Sequence, residues 1–322
     1  AYAVASPARV FHVLWNNRLE YVDRTLLLSF YKLLGKRIVF TVHNVNIRMR
    51  DGNDTLANRL TLRYQYWLVD HLFVHTARMA DELLSQFGVP LAKISVIPFG
   101  INSTVPDTPM TAAEGRTRLG IDAGDKVMLF FGNITRYKGL EYVVEAMPAV
   151  LARHPEARLV IAGRPKGEEA YWANIERRID VLGLDARITR RIEYVSDAEI
   201  EVFFKAADLL VLPYTHVFQS GVLFLGYNFG LPVVATDVGA LREEIVDGET
   251  GFVCAPGDPA SLAAAIDRYF SGELFSELAQ RRPAIRDYAA ERYSWSTVAS
   301  ITRGVYGQLL DSSGGRDQVA MP

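Results

Sequence analysis

Short runs of consecutive apolar residues alternate along the whole chain with longer segments in which apolar positions follow a helical spacing. Apolar runs without polar alternation are typical of strands buried on both faces, and a helix after each strand indicates parallel sheets. Strands are predicted at Val10–Leu14, Arg37–His43, Leu72–His75, Ile94–Ile97, Val127–Gly132, Arg158–Gly163, Ile192–Val195, Asp208–Pro213, Pro232–Thr236 and Gly251–Cys254. Helices are predicted at Asp23–Leu34, Asp54–Val69, Arg78–Phe87, Leu140–Ala152, Ala198–Ala207 and Ser261–Phe270.

The alternation is interrupted once, by a segment rich in Pro, Thr and Gly between Asn102 and Lys126. A domain boundary is expected there. Six strand–helix units follow it and four strands precede it. The expected fold class is α/β, with two Rossmann-like doubly wound parallel sheets facing each other across a cleft, the first domain being incomplete. The expected domains are residues 1–105, residues 106–290 with the linker, and residues 291–322, a helix that returns to the first domain and a frayed tail.

Composition narrows the function classes. The 322 residues carry a formal net charge of −2, which gives no basic field to hold a nucleic acid. The single cysteine, Cys254, excludes an intramolecular disulfide and a cysteine-rich zinc site, and fits a cytoplasmic protein. The longest apolar stretch, Val222–Ala235, is interrupted by polar residues and shorter than the roughly 18 apolar residues of a spanning helix. No signal peptide is recognised at the start of the sequence.

The first candidate site is the loop in Phe130–Leu140, FFGNITRYKGL, which follows a predicted strand. Ligands of doubly wound sheets bind beyond the carboxyl ends of the strands. Arg136 and Lys138, next to the start of a helix, would suit a diphosphate there. A solvated loop with incidental charges is the alternative.

The second candidate lies within Leu212–Val253, where a predicted strand leads through a polar loop into an apolar helix. His216, Gln219 and Ser220 stand in this loop, and the helix N-terminus offers free backbone N–H groups to an anion. An ordinary serine N-cap is the alternative. The next strand ends in a third loop, at residues 237–239, which we expect to share the same ligand.

The third candidate is His43, at the carboxyl end of a predicted strand. A histidine in this position is as often a hydrogen-bonded structural residue as a functional one. His75 has the same placement after another strand, with a weaker case. The sequence contains no nucleophile elbow, Walker loop, H-E-x-x-H motif or G-x-G-x-x-G after a strand, which disfavours those enzyme classes.

Together these segments resemble the retaining, nucleotide-sugar-dependent glycosyltransferases of family four, which have the double-Rossmann fold called GT-B. The resemblance extends over nearly the whole chain and depends on the order and spacing of several segments. They are His75–Asn102, Phe130–Val150, Ala157–Gly163, Ala206–Tyr214, Phe229–Val253 and Tyr293–Ala299.

The resemblance implies a role for individual residues. Lys138 matches the lysine that grips the donor diphosphate, and His43 matches a first-domain histidine beside the donor sugar and acceptor. Gly221 and Val222 match the helix start whose backbone meets the phosphates. Glu243 matches a glutamate that is more often structural than catalytic.

Three departures from the family pattern change these expectations. Asn133 stands where an arginine is usual, so Arg136 is expected to supply that charge. Val217 and Leu225 stand where the family has two glutamates, as in a branch with Gln-Ser-Gly, so Gln219, Ser220 and His216 are the expected substitutes. The strand, Gly-rich loop and further strand–helix units at the front of such enzymes are also absent, as in a chain that begins within a domain.

The resemblance implies transfer of a hexose from a nucleoside diphosphate sugar, with retention, to a sugar or lipid-linked acceptor. No metal or other cofactor is expected, and the chain would be cytoplasmic, with or without peripheral contact to the inner membrane face. Two alternatives stay open: a catalytically impaired homologue that binds sugar nucleotides, and a nucleotide-sugar epimerase of the same fold.

Overall fold

The computed structural model describes residues 2–16, 19–50, 52–100 and 105–311, and the backbone alone at Arg50. The chain divides into two compact units. Unit 1 comprises residues 1–100 with 293–322, and unit 2 comprises residues 101–292. The predicted frayed tail, residues 312–322, lies outside the described residues.

Unit 1 is built on a four-stranded sheet whose strands are all parallel, in the order β1-β2-β3-β4. The two middle strands are buried almost throughout because helices cover the sheet, whereas every residue of β1 is only half-buried. The strands are β1 Val10–Val13, β2 Arg37–Thr41, β3 His71–Val74 and β4 Ile94–Val96.

The helices of unit 1 connect these strands, and the last helix of the chain packs on the same sheet. Val305 of that helix lies in one apolar cluster with Val39, Phe73 and Ile97. A π-helical turn, Asp23–Leu27, joins α2 to α3. The helices are α1 Tyr2–Ala5, α2 Glu20–Val22, α3 Leu28–Leu33, α4 Ile47–Arg50, α5 Leu56–Leu68, α6 Ala77–Phe87 and, at the end of the chain, α16 Trp295–Asp311.

Unit 2 holds a six-stranded parallel sheet in the order β10-β9-β8-β5-β6-β7. The strand order reverses between β5 and β8, which are neighbours in the sheet. Such a switch point opens a crevice beyond the strand ends, where ligands of doubly wound sheets bind. The strands are β5 Lys126–Phe131, β6 Ala157–Ala162, β7 Ile188–Arg191, β8 Leu209–Leu212, β9 Val233–Thr236 and β10 Gly251–Cys254.

The helices of unit 2 cover both faces of its sheet and enclose its main apolar core. Short 3-10 turns precede β7 and follow β5. The helices are α7 Ala112–Leu119, α8 Leu140–Arg153, α9 Glu169–Val181, α10 Asp197–Ala206, α11 Gly221–Asn228, α12 Leu241–Glu244, α13 Pro259–Phe270, α14 Glu273–Ser276 and α15 Leu278–Arg292.

One predicted strand is wrong. The strand placed at Ile192–Val195 lies instead at Ile188–Arg191, at the edge of the sheet. An edge strand is covered on fewer sides, so β7 reads ITRR, with only Ile188 buried. The apolar run that the prediction followed falls in the next loop.

Helix α7 lies inside the predicted linker and was not expected. Its signal is present in the sequence, because Thr111 and Glu114 form a capping box at its start. No helix in the described ranges is long and apolar enough to cross a membrane.

Candidate functional site

Three strand-end loops of unit 2 meet at the switch point. The backbone N–H of Thr215, after β8, donates to the carbonyl of Tyr137, after β5, at 2.8 Å. The N–H of Ala240, after β9, donates to the carbonyl of Phe218 at 3.1 Å. Gly139 has a φ of +64°, and a Cβ there would collide with the Pro213 carbonyl. The loops of the first two candidate segments therefore form one continuous surface.

Lys138 is buried in this surface, with 7% of its area exposed. Its Nζ lies 3.5 Å from the carbonyl oxygen of Phe131 and 5.8 Å from the centre of the Tyr214 ring. Among the described residues, no carboxylate forms an ion pair with it. Burial lowers its pKa to about 8 because a charged ammonium loses hydration there. A buried ammonium without a counter-charge is the arrangement that an anionic ligand would complete.

The next loop brings Ser220 to the same place. Ser220 is buried, and its hydroxyl donates to the Tyr214 hydroxyl at 3.4 Å. It stands at the N-cap position of α11 but makes no side-chain capping bond, so the N-cap alternative does not describe it. Lys138 and Ser220 thus meet on opposite parts of the same tyrosine.

Gln219 precedes this serine and has both amide atoms, Oε1 and Nε2, buried without a hydrogen-bond partner. A buried primary amide without partners is costly, since it has lost hydration and gained nothing in exchange. Such groups in native structures commonly face a ligand site. The same features make Gln219 the most strained polar side chain of this loop.

Helix α11 starts at Gly221 and is apolar and buried for most of its length, as its sequence predicts. Its first turn points the partial positive charge of the helix dipole toward the loop surface. Val222 lies there too, because a Cβ on Gly132 would sit 2.7 Å from Lys138 Nζ and 3.8 Å from Val222 Cγ2. The start of α11 and the lysine are therefore close neighbours.

The remaining predicted residues of unit 2 do not join this cluster by any described contact. Asn133 is exposed. Arg136 is exposed too, 3.5 Å from Glu168 and stacked over the Tyr171 ring at 5.3 Å. His216 is exposed and packs edge-to-face on Phe218, and Glu243 is exposed on the short helix α12.

Tyr214 is a residue of this site that the sequence pattern does not predict. It is buried to 2%, and burial raises the pKa of its phenol well above the usual range. The only signal is its position, two residues beyond β8 at the switch point.

His43 lies in unit 1, two residues beyond the end of β2. Its ring stacks on Trp15 at 4.1 Å, with 9° between the planes. Its Nδ1 is 3.1 Å from Nε2 of His75, and its own Nε2 is buried without a partner. Burial lowers the pKa of His43 below its usual value, so the neutral ring is favoured.

Within the described ranges, no group of three or more His, Cys, Asp or Glu side chains could hold a metal ion.

Two family profiles match the chain. One described as glycosyl transferases group 1 matches residues 125–271, and one described as glycosyltransferase family 4 matches residues 20–105. Between them they cover the second and first sheets.

Curated relatives agree with these profiles. The chain is 34% identical over 275 residues to glycogen synthase of Mycobacterium tuberculosis, covering 84% of this chain and 62% of that protein. It is 30% identical over 294 residues to D-inositol 3-phosphate glycosyltransferase of Paenarthrobacter aurescens, covering 88% and 70%. The chain therefore spans less than two thirds of the length of the glycogen synthase.

Solved structures share the fold. Sucrose-phosphate synthase from Thermosynechococcus elongatus superposes with a TM-score of 0.78 at 20% identity, over 97% of this chain and 76% of the other. HepE of Anabaena, in complex with UDP-glucose, superposes with a TM-score of 0.75 at 19% identity, over 93% and 78%. At these identities the likeness concerns the fold, and the prediction of two parallel-sheet α/β domains of the GT-B type is confirmed.

Proposed function

The chain belongs to the group 1 glycosyltransferases, and from that premise we propose that it transfers a hexose from a nucleoside diphosphate sugar to a sugar or lipid-linked acceptor, with retention. The observation that carries this proposal is the buried ammonium of Lys138, without an acidic partner in the described structure, beside the start of α11. A diphosphate would supply the missing negative charge and accept from the helix N-terminus.

The chemistry that this arrangement favours is departure of the diphosphate. When the bond between the sugar and the β-phosphate breaks, negative charge builds on the phosphate oxygen. Lys138 and the backbone N–H groups at Gly221 and Val222 would stabilise that charge in a site already shaped for it. We propose that this stabilisation is the main catalytic contribution and that no metal is needed.

Retention requires the acceptor to attack from the face that the diphosphate leaves. We propose that the leaving phosphate accepts the proton of the acceptor hydroxyl, because no carboxylate is assigned as a covalent nucleophile. His43 is assigned to position the donor sugar or acceptor through its free Nε2.

The sugar and ribose need polar partners in the absence of the two usual glutamates. We propose that Gln219 and Ser220 take this role, helped by His216 on the same loop. Both amide atoms of Gln219 are buried without partners, which supports the assignment. Asn133, Arg136 and Glu243 are proposed as outer donor contacts, and the Arg136 side chain would first have to leave Glu168.

The first donor to test is UDP-glucose, since the structural relative HepE binds it. In the absence of an identified acceptor, slow transfer to water reports both activity and stereochemistry. We expect release of UDP and initial formation of α-glucose, observed by proton NMR, and loss of both in Lys138→Met. Initial formation of β-glucose would contradict retention.

A second candidate function is binding of sugar nucleotides without turnover. It is favoured by Val217 and Leu225, both buried apolar residues at the positions where the family has glutamates. Saturable binding of several nucleotide sugars with no release of diphosphate from any of them would support it.

We also propose a cytoplasmic protein that touches a membrane surface through α5. Leu56, Leu60 and Trp67 are exposed along this helix at 73%, 58% and 71%, next to the exposed Arg59 and Arg63. Apolar side chains flanked by arginines suit an anionic lipid surface. Co-sedimentation with anionic but not neutral vesicles, lost in Leu60→Ser with Trp67→Ser, is the expected result.

A further inference from the structure

Unit 1 contains a cavity of about 140 Å³ beyond the carboxyl ends of β1 and β2. Its lining includes His43, Arg24 and Gln65, together with Asn16 and Glu20. Three of these side chains each hold a buried nitrogen without a hydrogen-bond partner: His43 Nε2, Arg24 Nε and Gln65 Nε2.

The other polar atoms of Arg24 and Gln65 are already used. Arg24 donates from its two terminal nitrogens to Asn58 at 2.7 Å and to Glu20 at 2.9 Å. Gln65 is fully buried, and its Oε1 accepts from Asn16 at 3.3 Å. What remains toward the cavity is therefore one N–H of Arg24 and the amide N–H groups of Gln65, all donors.

The remaining atom, His43 Nε2, has the opposite polarity because of a hydrogen-bonded relay. Nδ1 of His75 lies 3.3 Å from the carbonyl oxygen of Ile97, which can only accept, so this nitrogen carries the proton. Nε2 of a neutral His75 is then an acceptor, and it takes its hydrogen bond from Nδ1 of His43 at 3.1 Å. His43 Nε2 consequently presents a lone pair.

Both rings are held in this arrangement. Trp15 stacks on His43 and fixes its plane, and His75 packs edge-to-face on Phe99 at 5.1 Å. His75 is 9% exposed, and burial followed by the neighbouring His43 lowers its pKa to about 4, so it stays neutral at physiological pH.

Two donors and one acceptor around a small space match a hydroxyl group, which accepts and donates at once. A carboxylate only accepts and would face the lone pair of His43, and an ammonium would leave the donors of Arg24 and Gln65 without a partner. The charge of Arg24 is paired with Glu20, so the cavity does not call for an anion. Arg48 also approaches Glu20, at 3.6 Å, but does not line the cavity.

We propose that this cavity binds a hydroxyl-bearing group of the acceptor, and that His75 is a positioning residue that makes it selective for a hydroxyl over a carboxylate by holding the tautomer of His43. The identification of the bound group as part of the acceptor rests on the proposed function. The tautomer and the selectivity depend on the relay and the cavity alone.

The test is NMR of the full chain with ¹⁵N-labelled histidine and labelled Arg and Gln side chains, with His43 assigned by comparison with His43→Gln. We expect His43 to carry its proton on Nδ1. In His75→Leu the acceptor for that proton is lost, and we expect the signal to move toward the Nε2–H form. His75→Gln keeps an acceptor oxygen, and we expect it to restore the wild-type tautomer.

Propane-1,2-diol and lactate are matched probes of the cavity, since lactate has a carboxylate where the diol has a hydroxymethyl group. The diol is expected to shift the resonances of Gln65 Nε2 and His43 Nε2 saturably in the wild type and in His75→Gln, but not in His75→Leu. Lactate is expected to shift neither.

Several results would overturn the proposal. They are a wild-type His43 protonated on Nε2, an unchanged tautomer in His75→Leu, equal responses to lactate and diol, or no response to diol at molar concentration. UDP binding, measured on the same samples, depends on Lys138 in unit 2. Loss of UDP binding with an intact diol response would refute the proposed function and leave the relay and its selectivity standing.

Discussion

The ammonium of Lys138 lies 5.8 Å from the ring centre of Tyr214, and the hydroxyl of that tyrosine accepts a hydrogen bond from Ser220. One buried aromatic residue thus connects a loop after β5 with the start of α11 across the switch point. The ring shields the lysine from water while offering only a weak partner to its charge. The energetic consequences of that placement can be measured.

Replacing Lys138 with Met should stabilise the protein while removing its donor contact. A drop in pKa from 10.5 to about 8 corresponds to about 3 kcal/mol of unfavourable burial at pH 7. Methionine fills similar space without the charge, so the free energy of unfolding should rise by up to that amount. Urea denaturation followed by circular dichroism at pH 7 measures it.

The gain should shrink as the pH rises from 8 to 10.5. In that range the unfolded chain holds the lysine proton and the folded chain has lost it, so the stability of the wild type increases with pH. Lys126→Met is the matched control, because Lys126 is paired with Glu156 at 2.7 Å and its loss should bring no gain. A destabilised Lys138→Met at pH 7 would contradict a costly buried charge.

Binding of UDP should take up a proton at alkaline pH. Above about pH 8 the free lysine is largely neutral, and a diphosphate favours its charged form, so affinity should fall by up to tenfold per pH unit. Calorimetric titrations at pH 9 in buffers of different ionisation enthalpy measure the proton count.

Lys138→Arg separates this effect from other pH-dependent groups, because arginine stays charged throughout the range. We expect its proton uptake at pH 9 to be close to zero, even if its affinity differs. Equal proton uptake in the wild type and in Lys138→Arg would assign the effect to another group.

Gln219→Leu should separate stability from recognition. Removing two unpartnered buried polar atoms should leave the free protein as stable or more stable, by about 1 kcal/mol. If the amide contacts the sugar or ribose, affinity for a matching nucleotide sugar should fall at least tenfold. Calorimetry with UDP-glucose and with uracil, which lacks ribose and sugar, shows whether the loss depends on them. A stability loss without an affinity change would make Gln219 a structural residue.

Gly132→Ala should weaken UDP binding through Lys138. Gly132 has a φ of +99°, and an added Cβ would lie 2.7 Å from the lysine Nζ, so the ammonium must move. Gly183→Ala is the control, because Gly183 also has a positive φ, +65°, but no atom within 4 Å of the added carbon. Both variants should lose about 1 kcal/mol of stability or more, and only the first should lose UDP affinity. Equal UDP affinity in both would place the lysine away from the donor.

The sequence predicts the sheets well because their strands are continuous apolar runs. It misplaces β7, where an edge strand reads ITRR and burial no longer marks it. It predicts Lys138 and Ser220 from their position beyond strand ends, since parallel strands bring such loops to one edge. It leaves out Tyr214, because an apolar aromatic residue after a buried strand looks like part of the core.

The environment of the histidines was also beyond the sequence. The pairing of His43 with His75 joins positions 32 residues apart, and only the register of β2 and β3 brings them together. His12, predicted as structural, bonds Thr41 at 2.7 Å and Tyr306 at 2.6 Å, a contact 294 positions away in the chain. Distances of this kind come from the tertiary fold and not from local pattern.

Thermal unfolding in the presence of a panel of UDP, GDP, ADP and dTDP sugars measures donor binding at Lys138 most directly. A ligand at about 100 times its dissociation constant should stabilise the folded protein by about 2.7 kcal/mol. We predict that at least one of these compounds raises the melting temperature of the wild type and that the same compound leaves Lys138→Met unchanged. No shift with any member of the panel, or an equal shift in Lys138→Met, would contradict the assignment of this loop surface as the donor site.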